Sequence, residues 1–171
     1  MTAPAFETQR LKVRPWDSTL AETSSRAALE SALSELLTPA VLKHLPDPLQ
    51  LSASVSIAHW IDARAAQSDV LLVASKASDT LIGLMILSKS TAPTDPIHIG
   101  YLLAQSAWGQ GLASELVGGL VATLKDHGPA CLIGGVEPSN PASAKVLLKA
   151  GFARQNALST PDADIYRLDL A

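Results

Sequence analysis

Charge is scarce in this chain: Asp, Glu, Lys and Arg make up 17% of its 171 residues and leave a formal net charge of −3. No stretch is dense in Lys and Arg, so the protein is not expected to hold nucleic acid by neutralising phosphates. Cysteine is reduced to Cys131, which leaves no disulfide framework. Within the apolar run Cys131-Leu132-Ile133 its thiol reads as an inert core group rather than a nucleophile. Long apolar runs are missing as well. Val70 to Ala74 and Leu81 to Leu87 are far below the roughly 20 helical residues that cross a bilayer, so no membrane contact is expected. The start, Met1-Thr-Ala-Pro-Ala-Phe-Glu7, lacks the charged and apolar regions of a secretory signal, and with the unpaired Cys131 it points to the cytoplasm.

What is present is a hydrophobic content of 47%, enough for a sizeable core and incompatible with a disordered or fibrous chain. Residues 1–171 read as one domain. Glu7 to Trp16 alternates as a strand, with Leu11 and Val13 on one side and Arg10, Lys12 and Arg14 on the other. Helical spacing follows from Ser18 to Leu37, through Leu29, Leu33, Leu36 and Leu37, and again from Ser52 to Ala66. Three runs bounded by turn residues, Val70 to Ser75, Thr80 to Ser88 and Ile97 to Ala104, suit antiparallel hairpins. The pattern then changes to a helix over Leu112 to His127, a strand over Ala130 to Val136 and a helix over Asn140 to Ala150, units that need parallel pairing. Two strands, Phe152 to Ala157 and Asp164 to Leu170, close the chain. The fold class is therefore mixed α/β, with a mostly antiparallel sheet and flanking helices.

The chemistry is concentrated between His98 and Phe152. Trp108-Gly109-Gln110-Gly111-Leu112-Ala113 lies between a strand and an amphipathic helix whose stripe is Leu112, Leu116, Leu120 and Leu124. A helix N-terminus carries unpaired N–H donors and a partial positive charge, and a first turn bare of side chains lets a phosphate reach them. The same two glycines are equally compatible with a plain turn. Further on, Asn140 is placed as an N-cap, Pro141 as the first helical residue and Gly151 as the C-terminal stop. Spacing alone makes Asn140 a cap and Ser143 a solvated residue of the first turn.

Taken together, the glycine-rich Trp-Gly-Gln-Gly-Leu-Ala segment, the Asn-Pro-Ala-Ser about thirty residues later and the closing Lys149-Ala150-Gly151-Phe152 resemble the GNAT superfamily of N-acetyltransferases. Within it they resemble the ribosomal-protein alanine N-acetyltransferase-like (RimJ/RimL-type) branch. Thr8-Gln9-Arg10-Leu11-Lys12-Val13-Arg14, Ile99-Gly100-Tyr101-Leu102-Leu103 and Tyr166-Arg167-Leu168 are similar to that branch too. The resemblance implies an acetyl-CoA-dependent enzyme without a metal, acting on a primary amine of a protein N-terminus or small molecule, as a monomer or homodimer.

It also implies roles for particular residues. The loop pattern Gln/Arg-x-x-Gly-x-Gly/Ala falls on Trp108, Gly109, Gln110, Gly111, Leu112 and Ala113, whose backbone should hold the CoA pyrophosphate, with Trp108 replacing the usual Gln or Arg. The strand Ile99 to Leu103 should carry a bulge and splay from Ala130 to Val136, leaving a cleft for the pantetheine arm. Asn140 should bond that arm, and Ser143 should protonate the leaving thiolate. The oxyanion should be held by a backbone N–H of Leu102 or Leu103. For the proton lost by the amine there are two candidate bases. His98 stands where relatives often carry a carboxylate, and Glu137 ends the next strand. The ordinary reading of His98 is a surface imidazole at a strand edge.

Two other functions are compatible with parts of the pattern. Gly109-x-Gly111-x-x-Ser114 mimics a piece of the dinucleotide-binding fingerprint of Rossmann-like proteins, with the third glycine missing and the loop late in the chain. A catalytically inactive acyl-CoA-binding or interaction module on the same fold would account for the carboxylate absent near Gly100. The acceptor groove is expected between the two early helices and the loops around Pro46, Pro93 and Pro161.

Overall fold

The computed structural model describes residues 4–89, 92 and 95–171. Eight strands form one sheet in the order β1-β2-β3-β4-β5-β6-β8-β7. Their ranges are β1 Phe6–Glu7, β2 Leu11–Pro15, β3 Ser68–Ser75, β4 Leu81–Ser88, β5 Ile97–Leu103, β6 Ala130–Val136, β7 Ala153–Arg154 and β8 Asp164–Leu170. Neighbours are antiparallel except β5 and β6, which run parallel. A doubly wound Rossmann sheet needs successive parallel strands, so this topology removes the dinucleotide-binding reading.

The early part of the chain is more broken than its periodicity suggests. The strand expected over Glu7 to Trp16 is split into β1 and β2, because Thr8 turns the chain: its N–H donates to the Leu11 carbonyl and its hydroxyl accepts from the Leu11 N–H. The helix expected from Ser18 to Leu37 is two helices, α1 Asp17–Ala21 and α2 Thr23–Leu36. They part at Glu22, whose extended backbone is accompanied by a carboxylate taking both the Ser24 and Ser25 hydroxyls. A short helix, α3 Pro39–Leu42, follows an N-cap at Thr38 and has no counterpart in the sequence reading. Helix α4, Ile57–Gln67, starts later than Ser52 because Ser56 is its cap, accepting the His59 N–H.

From β5 onward the reading and the structure agree closely. Helix α5 spans Leu112–Lys125 and buries Leu112, Leu116, Leu120 and Leu124 with Val117 and Val121. Each such side chain contributes about 1.5–3 kcal/mol by leaving water. Gly119 is required on this helix: a Cβ there would lie 2.6 Å from Thr8 Cγ2 and 2.8 Å from Phe6 Cε2, so β1 could not rest on it. Helix α6, Pro141–Lys149, begins at an Asn140 cap and is followed by Gly151 at φ 96°. In the final pair only Ala153–Arg154 of the expected Phe152 to Ala157 strand joins the sheet.

The sheet separates two cores. Helices α5 and α6 pack with Met85, Ile99, Leu103, Leu132 and Val136 on one face. Helices α2, α3 and α4 pack with Leu84, Ile86 and Leu102 on the other. Among the described residues no helix is long and apolar enough to cross a membrane. Cys131 is half-buried rather than in the core, and burial pushes its thiol pKa up, away from the thiolate form a nucleophile needs.

Candidate active site

The site is a wedge between β5 and β6. Their ladder pairs Ile97 with Leu132, His98 with Ile133 and Ile99 with Gly134, and stops there. On its other edge β5 stays paired with β4 from Ile99 through Leu103 without a register break. The upper half of β5 is therefore held from one side while its other edge parts from β6. The bulge expected in β5 is not in that strand. The register shift lies between Val73 and Ala74 of β3, where Ile82 of β4 is the unmatched residue.

Strand alternation decides which backbone groups face the wedge. The Ala104 N–H donates to the Ile82 carbonyl at 2.8 Å and the His98 N–H to Ser88 Oγ at 2.9 Å, so even-numbered residues of β5 point their N–H toward β4. Leu102 is among them. Tyr101 and Leu103 present their N–H groups to the β6 side. The Leu103 carbonyl lies on that side too, where it accepts from Trp108 Nε1 at 2.8 Å. This bond orients the indole, and Trp108 remains 48% exposed at the start of the glycine loop.

The loop itself is open and tied down from below. Gly109 and Gly111 have φ of 70° and 75°, a region that disfavours any side chain, and nothing stands within 4 Å of where a Gly109 Cβ would be. Gly111 caps α5 with no side chain bonded to its first N–H groups. Gln110 Nε2 donates back to the Ser106 carbonyl, and Arg10 Nη1 donates to the Gln110 carbonyl at 3.0 Å. Arg10 also grips Glu115 in the first turn of α5, with Nε 2.7 Å from Oε2 and its backbone N–H 2.7 Å from Oε1. Thr8 Oγ1 donates to the same carboxylate. Burial alone would raise the Glu115 pKa, but these three donors and the Arg10 charge hold it below the usual carboxylate value. The ion pair keeps a bare negative charge away from the mouth of the loop.

On the far wall Asn140 Oδ1 accepts the Ser143 N–H at 3.2 Å, and Ser143 Oγ lies 2.7 Å from the Tyr101 hydroxyl. Tyr101 thus reaches from β5 to α6 across the wedge. Burial raises its pKa, outweighing the Ser143 bond, so the phenol stays protonated at neutral pH. Tyr101 belongs to the strand motif Ile99 to Leu103, whose spacing marks no role for it; the pairing with Ser143 depends on how α6 folds back. Glu137 begins the turn leading into α6, its carbonyl accepting the Asn140 N–H. Its carboxylate takes the Ser139 hydroxyl at 2.6 Å and meets His44 Nδ1 at 2.8 Å, and these partners lower its pKa. His98 stands apart. It is exposed, at the zipped end of β5, and its partner Ile133 is four residues before Glu137, about 13 Å along the strand.

A sequence model of the acetyltransferase (GNAT) domain matches residues 10–153, which include the wedge, the glycine loop and the α6 cap. The chain belongs to the GNAT acetyltransferase family. It is an acetyl-CoA-dependent N-acetyltransferase. Solved structures share the fold. An acetyltransferase of the GNAT family from Bacillus anthracis is similar at 18% identity, with 97% of each chain covered and a TM-score of 0.73. The ribosomal-protein-S5-alanine acetyltransferase from Vibrio fischeri has 19% identity, 98% of this chain and 97% of that one covered, and a TM-score of 0.67. RimJ from Mycobacterium smegmatis, solved in complex with CoA-disulfide, has 15% identity, 99% and 90% coverage, and a TM-score of 0.70. No curated protein matches the sequence significantly.

The residues of this GNAT acetyltransferase fit its cosubstrate on structural grounds. Two positive-φ glycines leave the loop backbone bare, and the α5 N-terminus has unpartnered donors beside the Arg10 guanidinium. Acetyl-CoA supplies an activated acyl group with a thiol leaving group. Among the described residues no three His, Cys, Asp or Glu side chains gather as a metal site. Of the loops expected around the acceptor, Pro93 lies outside the described residues, while Pro46 caps the short turn Asp47–Leu49 beside α3.

Proposed function

We propose that this enzyme acetylates an α-amine, as in a protein or peptide N-terminus or a small molecule of comparable pKa, in the manner of the RimJ/RimL-type branch. The observation that carries the reading is the parting of β5 from β6 with the Tyr101–Ser143 hydroxyl pair standing in the opening. In this reading the backbone from Trp108 to Ala113 binds the pyrophosphate and Asn140 uses its free amide nitrogen on the pantetheine. The Leu103 N–H, rather than that of Leu102, stabilises the oxyanion, because only the former faces the wedge. Ser143 protonates the departing sulfur, its hydroxyl supported by the Tyr101 phenol.

The preference for an α-amine rests on the cost of deprotonation. At pH 7 a Lys side chain with a pKa near 10.4 needs about 4–5 kcal/mol to become a nucleophile, and an α-amine near 7.7–8.0 only about 1–1.4. Of the two bases implied by the resemblance, His98 and Glu137, the second is a weak one because its Ser139 and His44 partners lower its pKa. The likeness to the ribosomal-protein-S5-alanine acetyltransferase is consistent with a protein amine. The test is thiol release from acetyl-CoA in the presence of N-terminal peptides, free amino acids, polyamines and aminoglycosides. Turnover led by the first two supports the reading. Binding of acetyl-CoA without turnover on any of them would make the protein an inactive binding module, and turnover on polyamines alone would overturn the α-amine preference.

A further inference from the structure

Helix α3 has no counterpart in the sequence periodicity, and the residues at its two ends bond to the ends of β5 and β6. At its start Thr38 Oγ1 donates to Gln105 Oε1, just beyond the end of β5, at 3.3 Å. Just past its end, His44 Nδ1 meets the carboxylate of Glu137, just beyond the end of β6, at 2.8 Å. The segment from Thr38 to His44 therefore spans the two strand ends that part to make the site. Below it the opening is lined by glycine: Gly135 is exposed, a Cβ there would meet only Ile165 Cδ1 at 3.8 Å, and one on Gly100 nothing nearer than 3.9 Å. On this face Gly100 and Gly135 add no side chains of their own, with Leu49 Cδ1 3.9 Å from a Gly100 Cβ and the His44–Glu137 pair at the β6 end.

We propose that His44, oriented by Glu137, is the general base that deprotonates the acceptor amine, an assignment that rests on the acetyltransferase reading above. A carboxylate accepts but does not donate, so the 2.8 Å contact puts the proton on His44 Nδ1 and leaves the Nε2 lone pair available. The second carboxylate oxygen is occupied by the Ser139 hydroxyl at 2.6 Å, which fixes the carboxylate as an orienting group. Its lowered pKa makes Glu137 a poor proton acceptor and a good partner for an imidazolium. His98 has no such orienting partner among the described residues. It donates only its backbone N–H, to Ser88.

The steps balance. The amine nitrogen forms a bond to the thioester carbonyl carbon, and one N–H proton passes to His44 Nε2. The C–S bond breaks with its electron pair on sulfur, which takes the Ser143 proton. The imidazolium then loses its proton to water, and Ser143 is reprotonated from water. His44 and Glu137 are catalytic and positioning residues respectively. Glu137 meets the imidazole from the β6 end, and Lys43, beside His44 in sequence, acts on the Glu137 carboxylate.

The test uses the full chain, with acetyl-CoA and the best amine of the panel. In wild type, nitrogen-detected imidazole NMR is expected to place the His44 proton on Nδ1, and Glu137→Gln should mix the tautomers. His44→Gln should lower kcat about 100-fold and remove the ascending limb of the pH-rate profile, while the Kd for CoA by calorimetry stays within about twofold. In His44→Ala, added imidazole should restore part of kcat, which loss of a merely structural strap would not allow. A His44→Gln protein with wild-type kcat and an unchanged limb, a limb lost only in His98→Gln, or a ring protonated on Nε2 in wild type would each overturn the assignment. Failure of wild type to bind acetyl-CoA would instead overturn the acetyltransferase reading, and the NMR result would still decide the dyad.

Discussion

The two faces of the sheet are built differently. On one face α5 and α6 are continuous, strongly striped and joined to the sheet by short turns, and they present the glycine loop, Asn140 and Ser143. On the other, α2 matches α5 in length, but an extended Glu22 separates it from the short α1, and it is followed by α3, which is only Pro39–Leu42. The first face must hold an invariant cosubstrate, so its geometry is carried by backbone: positive-φ glycines, a helix N-terminus and a cap. In the proposed reading the second faces the acceptor, and side chains such as His44 on connecting segments set what it accepts. A rigid half and an adaptable half meet at β5, whose one edge is zipped to β4 and whose other edge opens.

The zipped edge gives the largest expected effect. Gly83 faces Leu103 across the β4–β5 ladder, and a Cβ there would lie 2.3 Å from the Leu102 carbonyl oxygen. Gly83→Ala should destabilise the protein by about 3 kcal/mol through overpacking against backbone. Its chemical denaturation midpoint should fall accordingly. An unchanged midpoint would show that β5 is not fixed by this edge.

Next come the hydroxyls in the wedge. Ser143→Ala is expected to lower kcat about 100-fold with a smaller change in KM for acetyl-CoA, in line with a lost general acid. Tyr101→Phe should cost about tenfold, since it removes one hydrogen bond of roughly 1 to 1.5 kcal/mol. Steady-state kinetics with chemistry rate-limiting distinguishes the two, and an unaffected kcat in both would make Ser143 an ordinary residue of the first turn of α6.

A smaller effect is expected at the clasp between β2 and α5. The folded-state pKa of Glu115 lies below its unfolded value of 4.5, so the clasp adds stability above that value and loses it as pH falls through the folded pKa. Thermal melts of Glu115→Gln and wild type should therefore differ near pH 7 and converge as the pH is taken well below 4.5. A difference that persists in acid would assign the effect to packing rather than charge.

How much of this was legible follows the same division. The stripe Leu112, Leu116, Leu120 and Leu124 marked α5 without ambiguity, and Asn140-Pro141 marked the start of α6, because both are local signals. The break at Glu22 was hidden because Ser24 and Ser25 fit a helix by spacing and oppose it only through hydroxyls bonded to the carboxylate. His44 and Tyr101 were invisible for another reason. Their partners, Glu137 and Ser143, are 93 and 42 residues away, and no local pattern encodes such a pairing. The choice between Leu102 and Leu103 likewise needed the register of β4 and β5 to be known.

Calorimetry on Gly111→Val asks whether the backbone of the glycine loop receives the pyrophosphate of CoA. Gly111 has φ of 75° and an open approach, with only Arg10 Nη2 within 4 Å of a Cβ, at 3.8 Å. A branched side chain there is strained by roughly 1–3 kcal/mol and obstructs the phosphate. CoA should bind the variant at least about tenfold more weakly than wild type, with a folded protein verified by circular dichroism. Equal affinity in a folded Gly111→Val protein would contradict the account and put the cofactor elsewhere.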